Sequence, residues 1–301
     1  MTTSITSQIR SNVTKTYLFM AGFVAFVVFA AYVMGNGLGY GNSWLFIAVV
    51  LSVVSSLASY YWGDKMVLAM SGARPADRKR DFDFFTVAEN LAIAAGIPKP
   101  KLYVIDDTAM NAFATGRDPQ HAVVCATTGL LTRLERRELE GVIAHELSHI
   151  KNFDTRLMAV VAVLAGSIAF LADMFMRSLW WGGGRRSRDD DRGVGQILLL
   201  VGIVLAIVSP IIATLIQLAV SRRREYLADA SSAYLTRYPE GLARALEKLG
   251  ADREVLEAAT NATAHLYVTN PFKGKQFGAW FAGLFNTHPP IAQRIKILRG
   301  M

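Results

Sequence analysis

Long apolar runs in this chain alternate with stretches where apolar residues return at short, regular spacing. Four runs, 17–34, 44–62, 157–181 and 195–220, are apolar enough to predict membrane spans. The first two carry no charge, and about 20 apolar residues in a helix cover a hydrocarbon core of about 30 Å. Nine residues separate them, four of them glycine and none lysine or arginine, which predicts a helical hairpin. The first run follows Arg10 and Lys15 as a signal peptide would. It is longer than a cleavable apolar core and a second span follows at once, so it is expected to be retained. The third run carries Asp173 and Arg177 at i,i+4 spacing and ends on Trp180 and Trp181, which reads as a span whose charged end emerges at the interface. Residues 182–193, with glycines, arginines and an aspartate run, predict a solvated loop.

Between the apolar runs the pattern changes. Leu139, Val142, Ile143, Leu147 and Ile150 form a stripe at helical period, predicting a helix packed on a core. Residues 84–95 are helix-like and are stopped by Gly96-Ile97-Pro98-Lys99-Pro100. Residues 101–105 and 121–126 are short and β-branched, and predict strands. After Asp229 the chain looks helical through 239–249 and again to about 264. The expected fold class is α+β: a mainly helical membrane protein with four transmembrane helices and a cytoplasmic domain carrying a small β-sheet. The expected division is 1–62 as the first transmembrane hairpin and 157–220 as the second. The segments 63–156 and 221–301 together form the cytoplasmic domain, large enough to bury its own core.

Composition agrees with a membrane class: 52% of residues are hydrophobic and the mean hydropathy is +0.29. Basic residues sort by side. Arg10, Lys15, Lys65, Arg74, Lys79, Lys151 and Arg222–Arg224 flank one face of the spans, whereas 35–43 has none. The positive-inside rule then puts both termini in the cytoplasm, although four arginines in 182–193 fall outside, against the rule. These flanks account for much of the net charge of +8, so nucleic-acid binding is not needed to explain it. The lone Cys125 excludes an intramolecular disulfide and fits a reducing compartment. Asn12-Val13-Thr14 and Asn261-Ala262-Thr263 match glycosylation sequons, which carry no meaning in a cytoplasmic segment.

Candidate chemistry centres on His145-Glu146-Leu147-Ser148-His149. On a helix His145 and His149 project from one face a turn apart, where they can share a metal, with Glu146 placed to take a proton from the attacking water. The bland alternative is an amphipathic helix with two surface histidines. A catalytic zinc site needs a third protein ligand and an open position, and the chain has five histidines. Glu225 and Asp229, four apart in Arg224-Glu225-Tyr226-Leu227-Ala228-Asp229, share a helix face; one carboxylate can bind metal while the other orients a zinc histidine. In Thr287-His288-Pro289-Pro290, His288 can donate to an oxyanion and Arg294 can assist or fix it; the alternative is a structural cap. His121 and His265 read as structural. His149 precedes the third run and Glu225 follows the fourth by a few residues, so both lie on the order of 10 Å from the bilayer, with the two spans acting as a clamp.

Asn111-Ala112-Phe113, H-E-L-S-H at 145–149, R-E-Y-L-A-D at 224–229 and T-H-P-P at 287–290 with Arg294 occur in this order along the chain. In that order and with these hydrophobic segments, the chain resembles the HtpX-type membrane metalloproteases, bacterial relatives of the CAAX prenyl protease within the glutamate-zincins. The resemblance implies a zincin-like catalytic domain and one zinc held by His145, His149 and Glu225. It further implies Glu146 as general base, Asp229 behind the ligands, and Asn111, Ala112 and Phe113 bordering the substrate on an edge strand that runs on through 121–126. It also implies quality control of misfolded membrane proteins under stress, in the bacterial inner membrane with the site on the cytoplasmic side.

The expected partners are therefore membrane-protein and unfolded-protein substrates and the lipid bilayer. A non-enzymatic zinc-binding scaffold or transporter is the rival from another class, but no cysteine or further histidine is placed as a fourth structural ligand. A protease cutting prenylated C-termini would need more spans. An intramembrane protease would carry its ligands inside spans rather than beside them.

Overall fold

The computed structural model describes residues 5–37, 43–182, 222–260, 263–272 and 289–301. The fourth apolar run and His288 lie outside the described residues, as do the side chains of Asp173 and Arg177. Two helices come first, α1 (Ile5–Gly37) and α2 (Ser43–Met70). Among the described residues, Ile9–Phe29 and Leu45–Met70 are long and apolar enough to cross a membrane. They leave Leu18, Phe29, Phe46, Leu51 and Val54 uncovered by protein, which a lipid surround would solvate. The inward face of α2 is small instead: Ser52, Ser56 and Ser59 are buried, letting its neighbours approach closely. The third apolar run lies within one continuous helix, α6 (Asp154–Gly182), which packs on both α1 and α2. Its first half, from Leu157 to Ile168, is buried by protein.

The remaining elements form a mixed sheet with helices on it. Its strands are β1 (Arg74–Pro75), β2 (Lys101–Ile105), β3 (Ala112–Thr115) and β4 (Val123–Thr127), in the order β1-β2-β4-β3. The β2–β4 pair is parallel, with Leu102 opposite Val124; β1 and β3 pair antiparallel at the two edges. Against the sheet lie the short α4 (Thr128–Arg133) and α5 (Arg136–Lys151); α3 (Phe82–Ala95), α7 (Arg222–Thr236) and α8 (Pro239–Ala251) pack on α5, and α9 (Ile291–Leu298) packs on α7 and α8. The stripe Leu139, Val142, Ile143, Leu147 and Ile150 is wholly buried against α3 and α8. Helix α3 ends on Gly96, whose φ of +67° is the left-handed cap that glycine adopts without penalty.

Three sequence expectations need correction. The strand expected at 121–126 starts at Val123, because Asp118 captures the backbone N–H of His121 (2.9 Å) in a short 3-10 turn. That strand is also interior, so within the stretch expected as the edge only β3 lies at one, and its four buried residues show no β alternation. The helix expected over 239–249 is α8, but the helical stretch expected to follow it to about 264 is not there: the Asp252 carboxylate accepts the Met110 N–H at 2.8 Å and pairs with Arg133, pulling the chain out of helical course.

A candidate metal centre

Helix α5 sets the centre. It opens with the Glu138 carboxylate accepting the Glu135 N–H (2.8 Å), and its buried stripe fixes its rotation about its axis. That rotation turns His145, Glu146 and His149 inward, all nearly inaccessible to solvent. Helix α7 lies alongside, held where Ser232 Oγ donates to the Gly141 carbonyl (2.7 Å), and brings Glu225 and Asp229 to the histidines.

The structure brings His145, His149 and Glu225 together, with one donor atom of each within 4.8 Å of the others. The two Nε2 atoms are 3.2 Å apart; Glu225 Oε2 is 3.8 Å from His145 Nε2, and Oε1 is 3.5 Å from His149 Nε2. Tetrahedral bonds of about 2.0–2.1 Å place donors roughly 3.3 Å apart, so this set fits a zinc-sized ion. The outer ring nitrogens are already engaged. His145 Nδ1 lies 3.0 Å from Asp229 Oδ1, and His149 Nδ1 lies 2.9 Å from Asp154 Oδ2. With Nδ1–H donated to a carboxylate, each ring turns its lone pair on Nε2 toward the shared space.

Charge points the same way. Glu146, Asp154, Glu225 and Asp229 are buried carboxylates, against the buried guanidiniums of Arg224 and Arg294. Such an excess of negative charge out of water is costly, and a divalent cation would offset it. Burial pushes the Glu146 carboxyl up to about 7, with Glu225 adding to the rise and His149, the Ala114 N–H and Arg294 opposing it. Burial also depresses His145, aided by Arg294 and His149. His149 goes the other way, to about 9, because Asp154 and the charges of Glu225 and Glu146 outweigh its burial.

Other sequence-predicted residues fall around this centre. Arg294, on α9, grips Asp229 with two N–H groups (Nε to Oδ2 2.8 Å, Nη2 to Oδ1 2.7 Å) and stands 3.7 Å from Glu225. Asn111 turns its side chain away, donating to the Thr269 carbonyl at 3.0 Å. Phe113 packs edge-on against Tyr267. His121 is half exposed beside Asp118, and the buried His265 lies 3.2 Å from the Met158 carbonyl. Sequence reasoning missed Asp154. The signal was faint: an acidic residue five after His149 has no helical relation to it, and contact arises because Phe153, at φ +59°, turns the chain back between α5 and α6.

Comparison with known proteins agrees with this geometry. Residues 79–301 match the model of peptidase family M48. A protease HtpX homolog of Caldanaerobacter subterraneus subsp. tengcongensis is 46% identical over 291 residues, 96% of this chain and 95% of that one. A homolog of the same description from Ligilactobacillus salivarius is 44% identical over 300 residues, 98% and 99% of the two chains. The fold is similar to the crystal structure of S. mikatae Ste24p, with a TM-score of 0.50 at 19% identity, covering 96% of this chain and 66% of that one. With HtpX-type relatives along nearly its whole length and the family match spanning the metal centre, the chain belongs to peptidase family M48 and is a metalloprotease.

Proposed function

We propose that the chain is a zinc-dependent endopeptidase that cuts misfolded or damaged membrane proteins at the cytoplasmic face of a bacterial inner membrane. The observation that carries this reading is the convergence of His145, His149 and Glu225 within 4.8 Å, with Glu146 buried beside them. These three would hold one zinc per chain, leaving a position open. Zinc, when bound, supplies the Lewis acidity that polarises the scissile carbonyl and acidifies the attacking water.

The protein's own groups do the rest. Glu146, buried beside the three ligands, takes the water's proton and delivers it to the leaving amine. Asp229 and Asp154 keep both rings aimed. Arg294 neutralises Asp229 and adds positive charge beside Glu225. His288 donates to the oxyanion. A substrate strand lies along β3. There Asn111, Ala112 and Phe113 border the substrate by fixing the strand: their side chains are buried and the Asn111 and Ala112 carbonyls already accept from Thr127 and Val268, so the main chain offered is that of the strand beyond them. Main-chain recognition tolerates many sequences, as clearance of damaged proteins requires.

For the membrane, four spans carry the domain: hairpins 1–62 and 157–220, with 63–156 and 221–301 folded together between them. Support comes from the two uncovered helices and from α6, whose length at about 1.5 Å per residue exceeds a hydrocarbon core. The rival, a zinc scaffold or transporter, would call for a fourth protein ligand, and among the described residues no further His, Cys, Asp or Glu joins the three. The test is metal analysis of purified protein with cleavage of a membrane-protein substrate, with and without chelator. One zinc per chain and chelator-sensitive, zinc-restored cleavage are expected; zinc-free protein that cleaves at full rate overturns the reading.

A further inference from the structure

Behind His149 stands a group that belongs to neither the ligand set nor the soluble part of the fold. Asn12 lies on α1, inside the candidate span Ile9–Phe29, yet it is buried and points at the junction of α5 and α6. Its side-chain amide donates to Asp154 Oδ1 (2.6 Å) and to the Asn152 carbonyl (3.1 Å). Its Oδ1 accepts from Arg224 Nη1 at 3.0 Å, the residue before Glu225, and the same Nη1 is 3.4 Å from Asp154 Oδ1. Only one orientation of the amide satisfies all of this: nitrogen toward two acceptors, oxygen toward a guanidinium. The other oxygen of Asp154 holds His149 Nδ1 at 2.9 Å.

We propose that Asn12 is a positioning residue of the metal centre, so that the first membrane helix fixes the aim of His149 through Asp154. A carboxylate on a helix N-terminus can rotate; one oxygen pinned by Asn12 and Arg224 leaves the other to face the imidazole. Burying an amide costs free energy unless its polar atoms are paired, and here both are. A mere anchor between helices would need one of these bonds. Three meeting at the carboxylate behind a metal-facing histidine make the helix part of the centre, and withdrawal of α1 would loosen it.

The proposal rests on His149 binding zinc, so the experiment separates the two. Zinc dissociation constants of the full-length protein in detergent are measured by competition with a chromogenic chelator, together with the Co²⁺ absorption spectrum. The chains compared are wild type, His149→Ala, Asn12→Ala, Asn12→Asp, Asp154→Ala and the double variant Asn12→Ala with Asp154→Ala. If wild type binds no zinc, or His149→Ala binds as wild type, the reading of the site itself fails. With that reading intact, Asn12→Ala is expected to weaken zinc about tenfold or more and to shift the Co²⁺ bands. Adding Asn12→Ala to Asp154→Ala should weaken it no further, because the pair acts as one unit. Asn12→Asp keeps the side chain's shape and an acceptor for Arg224 but has no N–H for Asp154, so it decides the matter should the alanine variant not fold. Wild-type zinc affinity and spectrum in Asn12→Asp, or an Asn12→Ala loss of equal size with and without Asp154, overturns the proposal.

Discussion

Glu146 is buried among carboxylates and imidazoles, and burial with the neighbouring Glu225 raises its carboxyl against the pull of His149, the Ala114 N–H and Arg294. Glu146→Gln keeps the shape and loses the base. Cleavage should fall by about 10²–10⁴ while zinc stoichiometry stays at wild type, since the amide removes no ligand; parallel rate and metal assays check both halves. Asp229 does two jobs, holding His145 Nδ1 and neutralising Arg294. Asp229→Ala should therefore weaken zinc about 10–100-fold. It should also lower the melting temperature, because the buried guanidinium of Arg294 loses both hydrogen bonds to Asp229, and breaking a buried pair costs about 3–5 kcal/mol. Removing both charges, as Asp229→Ala with Arg294→Met, should recover much of the stability but not the zinc affinity, and calorimetry with chelator competition tells these apart. The grouping of residues was legible in the sequence where a helix relates them, as for His145 with His149 and Glu225 with Asp229. Asp154 was not, because its bond to His149 depends on a left-handed turn at Phe153 that no spacing rule encodes.

At the scale of elements the centre depends on how closely α5 and α8 approach. A Cβ on Gly141 would lie 2.6 Å from the backbone N of Leu242, and one on Gly241 would lie 2.5 Å from the Arg137 carbonyl. Two glycines thus let the helices touch backbone to backbone. Gly141→Ala must push α8 away or rotate α5, and overpacking of this kind costs about 1–3 kcal/mol. Its melting temperature should drop, with zinc affinity falling too because the histidines ride on the same helix; unchanged values for both would mean the interface gives way elsewhere. The helical stripe of α5 and strand β2 are found where period and β-branching predict them. Strand β3 is not, because its Ala-Phe-Ala-Thr is all buried and so lacks alternation. The end of α8 falls close to the expected 249, but the helical stretch expected beyond it fails for another reason: Asp252 is satisfied by Met110, a partner 142 residues away, and long-range capture leaves no local trace.

For the whole molecule the open matter is orientation, and the protein carries its own clean background for testing it. Cys125, the single cysteine, is buried in β4, and burial pushes its thiol well above the ordinary range. The thiolate that reacts with maleimide is therefore scarce and shielded at neutral pH, so the folded wild-type chain should label slowly until denatured. Against that background an introduced cysteine reports alone. Lys79 is exposed in the connection between β1 and α3, within the domain that holds the metal centre, and Asn42 falls in the glycine-rich stretch of sequence between α1 and α2. With basic flanks inside, a membrane-impermeant maleimide on intact cells should label Asn42→Cys and spare Lys79→Cys, and permeabilised cells should label both. The reverse pattern would place the centre outside the cell and remove cytoplasmic loops from its reach. Equal labelling of both in intact cells would mean that α1 and α2 do not form a spanning hairpin, and their uncovered apolar faces would then have to be buried against another protein.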